Sequence, residues 1–452
     1  MLASGGPRHS LWRQETSHIG RSGATLALNQ LLQIAIPFVT TNMTGRLGVD
    51  ALAAGSLVGS IGLLLFVTSL GVLQGLVPLV SIAIGAGNET AAARTVRGGL
   101  AIAVAMGLGA TAIMACVPWA LARSGQDPTL VALAQRFVVA TLPGYLPSIV
   151  AIALRLFLIA ANDTKWLNSV IIAGIAFNIA CNLLLAGGSF DLDGLTAIGL
   201  TISLTNWLLF ACLAFAFTRA RRIPNSVRDW QAGFAVREAL ALGIPVGAIF
   251  FTETLLFTGS SVLMGFFGKV ALAAHGIVLL WLNIALMVPI GVSQAAMARV
   301  AFLLGQRDVD ALKHAVIVSL VVVSAASIAI GAVLVASSDS LVRLAMWSRL
   351  SGGEAVIATA RNFFYFCAVT QLLSGLIIVM ASILRGLRDA NAVLWLVMIG
   401  YWGVGLGGAA LFAFGLGLGG IGIWTGITLA FVFAVALLAT RFWRVLPQLR
   451  AV

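Results

Sequence analysis

The amino-acid sequence predicts an all-α membrane protein with twelve transmembrane helices in two pseudo-symmetric six-helix lobes. Three observations carry this prediction. The 452 residues are 60% hydrophobic and only 9% charged, with a mean hydropathy of +1.05, whereas soluble domains carry about 25% charged residues. Polar punctuation cuts the chain into twelve long apolar runs. The chain also repeats itself at an offset of about 220 residues. With 27 Lys and Arg and 15 Asp and Glu in all, most of the surface must face lipid. That excludes soluble enzymes, secreted scaffolds and DNA-binding proteins.

A helix crossing the hydrocarbon needs about 20 apolar residues. The runs that meet this are 22–43, 52–84, 98–118, 130–160, 166–187, 195–218, 239–264, 271–304, 315–337, 355–384, 391–414 and 418–440. Several exceed 30 residues, so they tilt, kink or project beyond the bilayer. Pro37, Pro78, Pro143, Pro147 and Pro289 sit inside runs and are natural kink points. The 49 glycines, dense over Gly403–Gly420, let helices approach closely or bend. Trp119, Trp166 and Trp347 near run ends fit an interfacial belt.

The segments between runs set the orientation. With the N-terminus inside, 20 of the 27 basic residues fall on the cytoplasmic side, Arg97, Arg155 and Arg385 counted among them. That is a positive-inside bias and predicts both termini cytoplasmic. The basic residues are scattered in ones and twos, so the pI near 10.9 reflects the bilayer and not nucleic acid. Cys116, Cys181, Cys212 and Cys367 all lie in apolar runs, which argues against a disulfide framework or a metal site. The first run shows no small-residue cleavage pattern and reads as a retained span.

Gly45-Arg-Leu-Gly48 followed by Ala51-Leu-Ala-Ala54 is matched by Gly265-Phe-Phe-Gly268 followed by Ala271-Leu-Ala-Ala274. The register holds without a gap through Gly71/Gly291, Gln74/Gln294, Val80/Val300 and Gly85/Gly305. A second echo, Leu154-Arg155 against Leu384-Arg385, has an offset of 230. Each repeat holds six spans, an even number, so both halves take the same orientation and relate by an axis along the membrane normal. Such pairs leave a central cleft near the midplane, where substrate and coupling ions bind. The predicted organisation is a tail (1–21), an N-lobe (22–218), a basic linker (219–238), a C-lobe (239–440) and a C-terminal tail (441–452).

Fourteen of the 15 acidic residues lie in loops or at span ends; Glu253 alone lies near the middle of a span, the seventh. An ionised carboxylate there costs about 2.5–3.5 kcal/mol on insertion scales. Binding a proton, a sodium ion or a cationic substrate removes that cost, and no intramembrane Lys or Arg offers a permanent partner. The competing reading is a structural Glu bonded to a neighbouring helix. Gln33 occupies the equivalent position in the first repeat, a neutral counterpart. Thr40, Thr41 and Asn42 cluster near the outer end of span one, where fraying explains them equally well. Asn178 and Asn182 share a helix face and suit either a cleft or helix–helix bonding. Asn283, Gln371 and Ser374 are cleft candidates in the second lobe. His275 reads as structural. The motifs HExxH, GxxxxGK[ST] and GxSxG are absent, so an ion gradient is the expected energy source.

Taken together, these residues resemble the multidrug and toxic compound extrusion (MATE) family, in its NorM-like branch. The resemblance runs through Met43-Thr-Gly-Arg-Leu-Gly-Val-Asp-Ala-Leu-Ala-Ala54, Gly71-Val-Leu-Gln-Gly-Leu-Val-Pro-Leu-Val80, Gly85-Ala-Gly87 and Leu154-Arg155. In the second half it continues through Leu242-Gly-Ile-Pro245, Glu253, Ala271-Leu-Ala-Ala-His275, Met287-Val-Pro-Ile-Gly291, Gln294-Ala, Arg299-Val300 and Leu384-Arg-Gly386. Order and spacing together make it specific. The resemblance implies a V-shaped pair of six-helix bundles that exports cationic, amphipathic compounds in exchange for H+ or Na+. It also implies that Glu253 matches the family's cation-binding carboxylate in the seventh span.

Three positions depart from the family pattern. Thr40-Thr41 stands where Asp-Thr is common, Ser374 where many members have Asp, and Leu280 where Asn is usual. A Na+ site gathers several oxygens, carboxylates included, so one remaining carboxylate favours proton coupling. The expectation is a multidrug antiporter, not an enzyme, with no cofactor beyond the coupling ion. Its partners would be small cationic drugs or metabolites and the lipid bilayer, in the plasma (inner) membrane, as a monomer with no nucleic acid. The alternatives are a flippase for lipid-linked precursors, against which the scarcity of intramembrane Arg and Lys counts, and a membrane-embedded protein that transports nothing. A major facilitator fold is disfavoured because the loop between spans two and three, Gly85-Ala-Gly-Asn-Glu89, is not basic.

Overall fold

The computed structural model describes residues 7–185, 193–220, 235–345, 353–445 and 447. Among them the chain is helical throughout, with no strand. Twelve helices are long and apolar enough to cross a membrane. They are α1 (Trp12–Arg46), α2 (Val49–Gly85), α3 (Glu89–Arg123), α4 (Pro128–Ala160), α5 (Leu167–Leu185) and α6 (Gly194–Thr218) in the first half. The second half holds α7 (Val236–Gly265), α8 (Lys269–Gln306), α9 (Val309–Ala336), α10 (Gly353–Gly386), α11 (Ala390–Gly415) and α12 (Gly419–Val445). The chain is thus a multi-pass membrane protein. At about 1.5 Å per residue, the 38 residues of α8 reach beyond a bilayer.

The first helix begins earlier than its apolar run. Residues from Pro7 are already helical, and Glu15 and Ile19 are buried. Glu15 accepts a forked pair of bonds from Arg299 on α8, at 3.0 and 2.5 Å. The polar prefix therefore packs, because an acidic residue with a guanidinium partner can be buried where an isolated one cannot. This is a correction for one of the fourteen acids placed near water. Of the stretch 219–238, residues 221–234 lie outside the described residues, as do Asp191 and Trp347.

Two prolines break their helices in the same way. α1 consists of Pro7–Gln33 and Ala35–Arg46, and α2 of Val49–Gln74 and Leu76–Gly85. Pro37 and Pro78 have no N–H to offer the carbonyls four residues back, those of Gln33 and Gln74. Each break falls on the next residue. The helix then continues without interruption through Thr40, Thr41 and Asn42, which excludes fraying there. Pro143, Pro147 and Pro289 are carried inside continuous helices. The glycine-rich α11 is π-helical over Ile399–Leu406 and Leu411–Gly415.

The repeat is visible in the backbone. Gly48 and Gly268 both hold positive φ, 111° and 93°, ahead of α2 and α8. The three turn bonds around them are the same: Leu47, Gly48 and Leu52 donate to Thr44, Gly45 and Gly48, and Phe267, Gly268 and Leu272 donate to Met264, Gly265 and Gly268. Asn88 and Asp308 each cap the next helix by accepting from the backbone N–H three residues on, at 2.9 Å. All of these keep the offset of 220. Later in each half the offset becomes 226: Asn162 and Arg388 take φ of 55° and 67°, and Asp163 and Asp389 donate back to Leu158 and Leu384. Arg155 and Arg385 are therefore not strict equivalents. They lie four residues apart in the aligned helices, about one turn along the same face.

The chain divides into two compact units, Asn29–Gly247 and the pair Met1–Leu28 with Ala248–Val452. Both divisions fall inside the first helix of a repeat, α1 and α7. In the first unit, Gly243 of α7 lies against α2 so closely that a Cβ would sit 2.3 Å from the Val72 carbonyl oxygen. In the second, Gly23 of α1 meets Val292 of α8, and a Cβ on Gly291 would sit 2.2 Å from the Ala27 nitrogen. Gly23–Val292 and Gly243–Val72 are the same pairing at the repeat offset. Large apolar side chains such as Phe38, Leu63, Val139, Phe266 and Trp443 point outward, as a lipid-facing surface requires.

Candidate functional site

In the Ala248–Val452 unit, Glu253 stands half-buried on α7. Its charge interacts with the Arg385 guanidinium of α10 and with Tyr401 of α11. Arg385 and Tyr401 are both buried. Arg385 also donates from Nη2 to Ser382 Oγ at 2.6 Å and from Nε to the Ala381 carbonyl at 3.3 Å. Glu253 is thus not without a cationic neighbour, contrary to the expectation from sequence. Arg385 reads as a loop charge because it sits one residue from the end of its helix, yet helix packing buries it. Its signal was present in the Leu154-Arg155 and Leu384-Arg385 echo. Tyr401 had a weaker one: it is one of three tyrosines in the chain, and buried tyrosines usually reach a polar partner. It stands on a π-helical stretch, a distortion frequent at functional sites.

Further along this unit, Gln371 and Ser374 of α10 are buried. Gln371 donates to the Ala285 carbonyl of α8 at 3.2 Å. Its Oε1 and the Ser374 hydroxyl have no hydrogen-bond partner among the described residues, so the amide oxygen can still accept and the hydroxyl can accept or donate. His275 is buried, 3.3 Å from the Ser260 hydroxyl and edge-on to Trp424, a structural setting. Asn283 is exposed and bonded to the Leu279 carbonyl at 2.8 Å.

The Asn29–Gly247 unit arranges its polar residues differently. Arg155 on α4 is buried and donates from Nη1 to Gln30 Oε1 at 3.1 Å and Asn29 Oδ1 at 3.5 Å. Gln33 donates to the same two oxygens, each at 2.9 Å, and Asn29 donates to the Leu167 carbonyl at 3.0 Å. Gln33 is thus one corner of an amide network around an arginine. Asn29, Gln33 and Arg155 line a cavity of about 100 Å³ with Phe66, Ser148 and Asn206. Asn178 is buried and donates to Thr205 Oγ1 of α6 at 3.1 Å, while Asn182 donates back to Asn178. These two join α5 to α6 in the way the structural reading expects. Thr40 is half-buried, its carbonyl accepting from Thr44 at 2.8 Å, and Asn42 is exposed.

Buried Arg97, Arg155 and Arg385 correct the count of loop charges. They also remove the scarcity of intramembrane arginine as an argument against a flippase. Among the described residues no group of three metal-ligating side chains is present.

Twelve spans in two repeats, with charged and amide side chains held between helices of each unit, define a membrane transporter. A family model described as MatE matches residues 26–184 and 245–411. The chain belongs to this family, the multidrug and toxic compound extrusion transporters, which are not enzymes. It is 32% identical over 429 residues to a "Probable multidrug resistance protein NorM" of Rhizobium meliloti, covering 93% of this chain and 92% of that protein. A protein of the same description from Bradyrhizobium diazoefficiens is 33% identical over 434 residues, with 93% and 92% covered. Among solved structures, the Vibrio cholerae MATE transporter VcmN superposes with a TM-score of 0.86 at 16% identity over 97% and 98% of the chains. An outward-facing multidrug resistance MATE transporter gives 0.87 at 16%, over 99% of each chain. These two likenesses establish the fold.

Proposed function

We propose that this protein is a secondary active multidrug antiporter that exports cationic, amphipathic compounds in exchange for protons by alternating access. The observation that carries the reading is Glu253, a carboxylate midway along α7 whose charge interacts with Arg385 and Tyr401. With Glu253 ionised, the pair carries no net charge and the carboxylate can attract an organic cation. Protonation leaves the Arg385 charge unbalanced, so the site changes from neutral to positive and expels the cation. The neighbouring arginine thus enlarges the effect of one proton. Each site state favours a different arrangement of the transporter, which is all that coupling requires.

Sodium is the less suited ion. A Na+ site needs several oxygen ligands, and among the described residues Glu253 is the one carboxylate whose charge acts on Arg385. The relatives' descriptions as multidrug resistance proteins support the substrate class, small organic molecules. The same reading places the protein in the inner membrane as a monomer, with both termini cytoplasmic. The test is efflux of a fluorescent organic cation from everted vesicles, under a proton gradient and then a sodium gradient. Glu253→Gln is expected to abolish proton-driven efflux while inserting normally. Wild-type rates from that variant, or efflux driven by sodium alone, would overturn the proposal.

A further inference from the structure

We propose that the Asn29–Gly247 unit contains an anion-binding site centred on Arg155, one that takes a small monovalent anion such as chloride or a carboxylate group. The guanidinium sits on a membrane-spanning helix, is 8% exposed, and lines the cavity of about 100 Å³. None of the ion pairs among the described residues includes it. Its protein acceptors are two neutral amide oxygens, Gln30 Oε1 and Asn29 Oδ1, and both are reached from Nη1 alone.

A guanidinium has five N–H donors in a planar fork. Here Nε and Nη2 have no acceptor among the described residues, and the fork lies at the wall of a cavity. The amides cannot neutralise the charge; they orient it. Asn29 and Gln30 spend their oxygens on Arg155 and Gln33, and Asn29 gives its own N–H to Leu167. The network therefore holds the fork in place and supplies no negative charge. A buried cation without a counter-charge is costly, and a bound anion is what this cavity lacks.

Size and lining set the class of ligand. A cavity of about 100 Å³ is roomy enough for a few waters and for a halide or a carboxylate group. Phe66, Ala151, Ile152 and Leu209 make the remaining wall apolar, which disfavours a strongly hydrated divalent anion. Carboxylates match a guanidinium fork in geometry. The site is independent of the coupling assigned to Glu253, which belongs to the other unit.

The test is chloride binding to the full-length protein in lipid nanodiscs, read by ³⁵Cl NMR line broadening with sulfate as the background anion. The wild type should broaden the signal saturably, and sulfate should not compete. Arg155→Gln should weaken the broadening at least tenfold. Gln30→Glu keeps the arginine, supplies an internal carboxylate to it, and should abolish the broadening equally in a protein that elutes and melts as the wild type does. Acetate displacing chloride would identify the carboxylate end of a zwitterionic solute as a second occupant; chloride without acetate competition would restrict the site to halides. Undiminished broadening in Gln30→Glu, or none in the wild type, would overturn the proposal.

Discussion

Each repeat places an arginine near the C-terminal end of its fourth span and a polar side chain at one fixed position of its first. In the second repeat that position is Glu253, whose charge interacts with Arg385. In the first it is Gln33, tied with Asn29 and Gln30 around Arg155. On the proposed reading one half changes its charge by taking a proton, while the other keeps the charge of Arg155. Duplication supplied two similar frames, in which Glu253 stands where the first half has Gln33, and Ile249 and Phe250 stand where it has Asn29 and Gln30. The arginines also differ by about one helical turn, so the two cradles are not superposable even where the helices are.

The comparison can be broken most severely at Glu253. Replacing it with Gln makes the second half resemble the first and should eliminate proton-driven efflux, as measured in everted vesicles. Next come the arginines. Arg385→Gln removes a buried guanidinium whose charge interacts with Glu253 and which donates to Ser382 and the Ala381 carbonyl, and should cost about 2–3 kcal/mol. Arg155→Gln loses only bonds to neutral amides and should cost about 1–2 kcal/mol. Thermal melting of the two variants side by side would settle the order, and equal losses would show that the halves do not differ in this way.

Smaller effects separate the helix crossings. A Cβ at Gly243 meets a backbone oxygen at 2.3 Å, whereas one at Gly23 meets a valine methyl at 3.4 Å. Gly243→Ala should therefore destabilise by about 1–3 kcal/mol, while Gly23→Ala should stay within about 0.5 kcal/mol. Melting temperatures again decide. At the surface, Asp339 is held below its ordinary value near 3.8 by its hydrogen bond from Arg361, with the nearby charges of Arg361 and Arg343 adding to it. A carboxyl lowered in the folded state contributes fully above its unfolded value and loses that contribution as pH falls through the folded one. Asp339→Asn should thus remove this contribution of an exposed carboxylate at neutral pH, a small one, and the difference from the wild type should shrink as pH falls below about 3.8 towards the lowered folded value.

Much of this was legible in the sequence. Spans were readable because lipid demands long apolar runs, and the repeat because Gly48 and Gly268 must adopt the same positive φ. Glu253 stood out because an acid inside a span is rare. Arg385, Arg155 and Glu15 were misplaced because position along a helix does not tell whether a neighbouring helix covers its end. Gln33 was found but not its role, since an amide network depends on which neighbours, Asn29 and Gln30 among them, turn toward Arg155. Tyr401 and the irregular helix that carries it depend on packing between α7, α10 and α11, which no local pattern records.

The passage of the chain between its two units has a mechanical consequence. It occurs at Leu28–Asn29 and Gly247–Ala248, within helices and not in loops. Gln33 and Glu253 each follow a crossing by about five residues, some 7 Å of helix. A flexible tether would let the units turn while leaving these side chains untouched. A rod cannot: bending it at the crossing swings whatever is mounted just beyond. The side chain and the helix that carries it are one piece, and in α1 that helix is interrupted at Ile34, directly after Gln33.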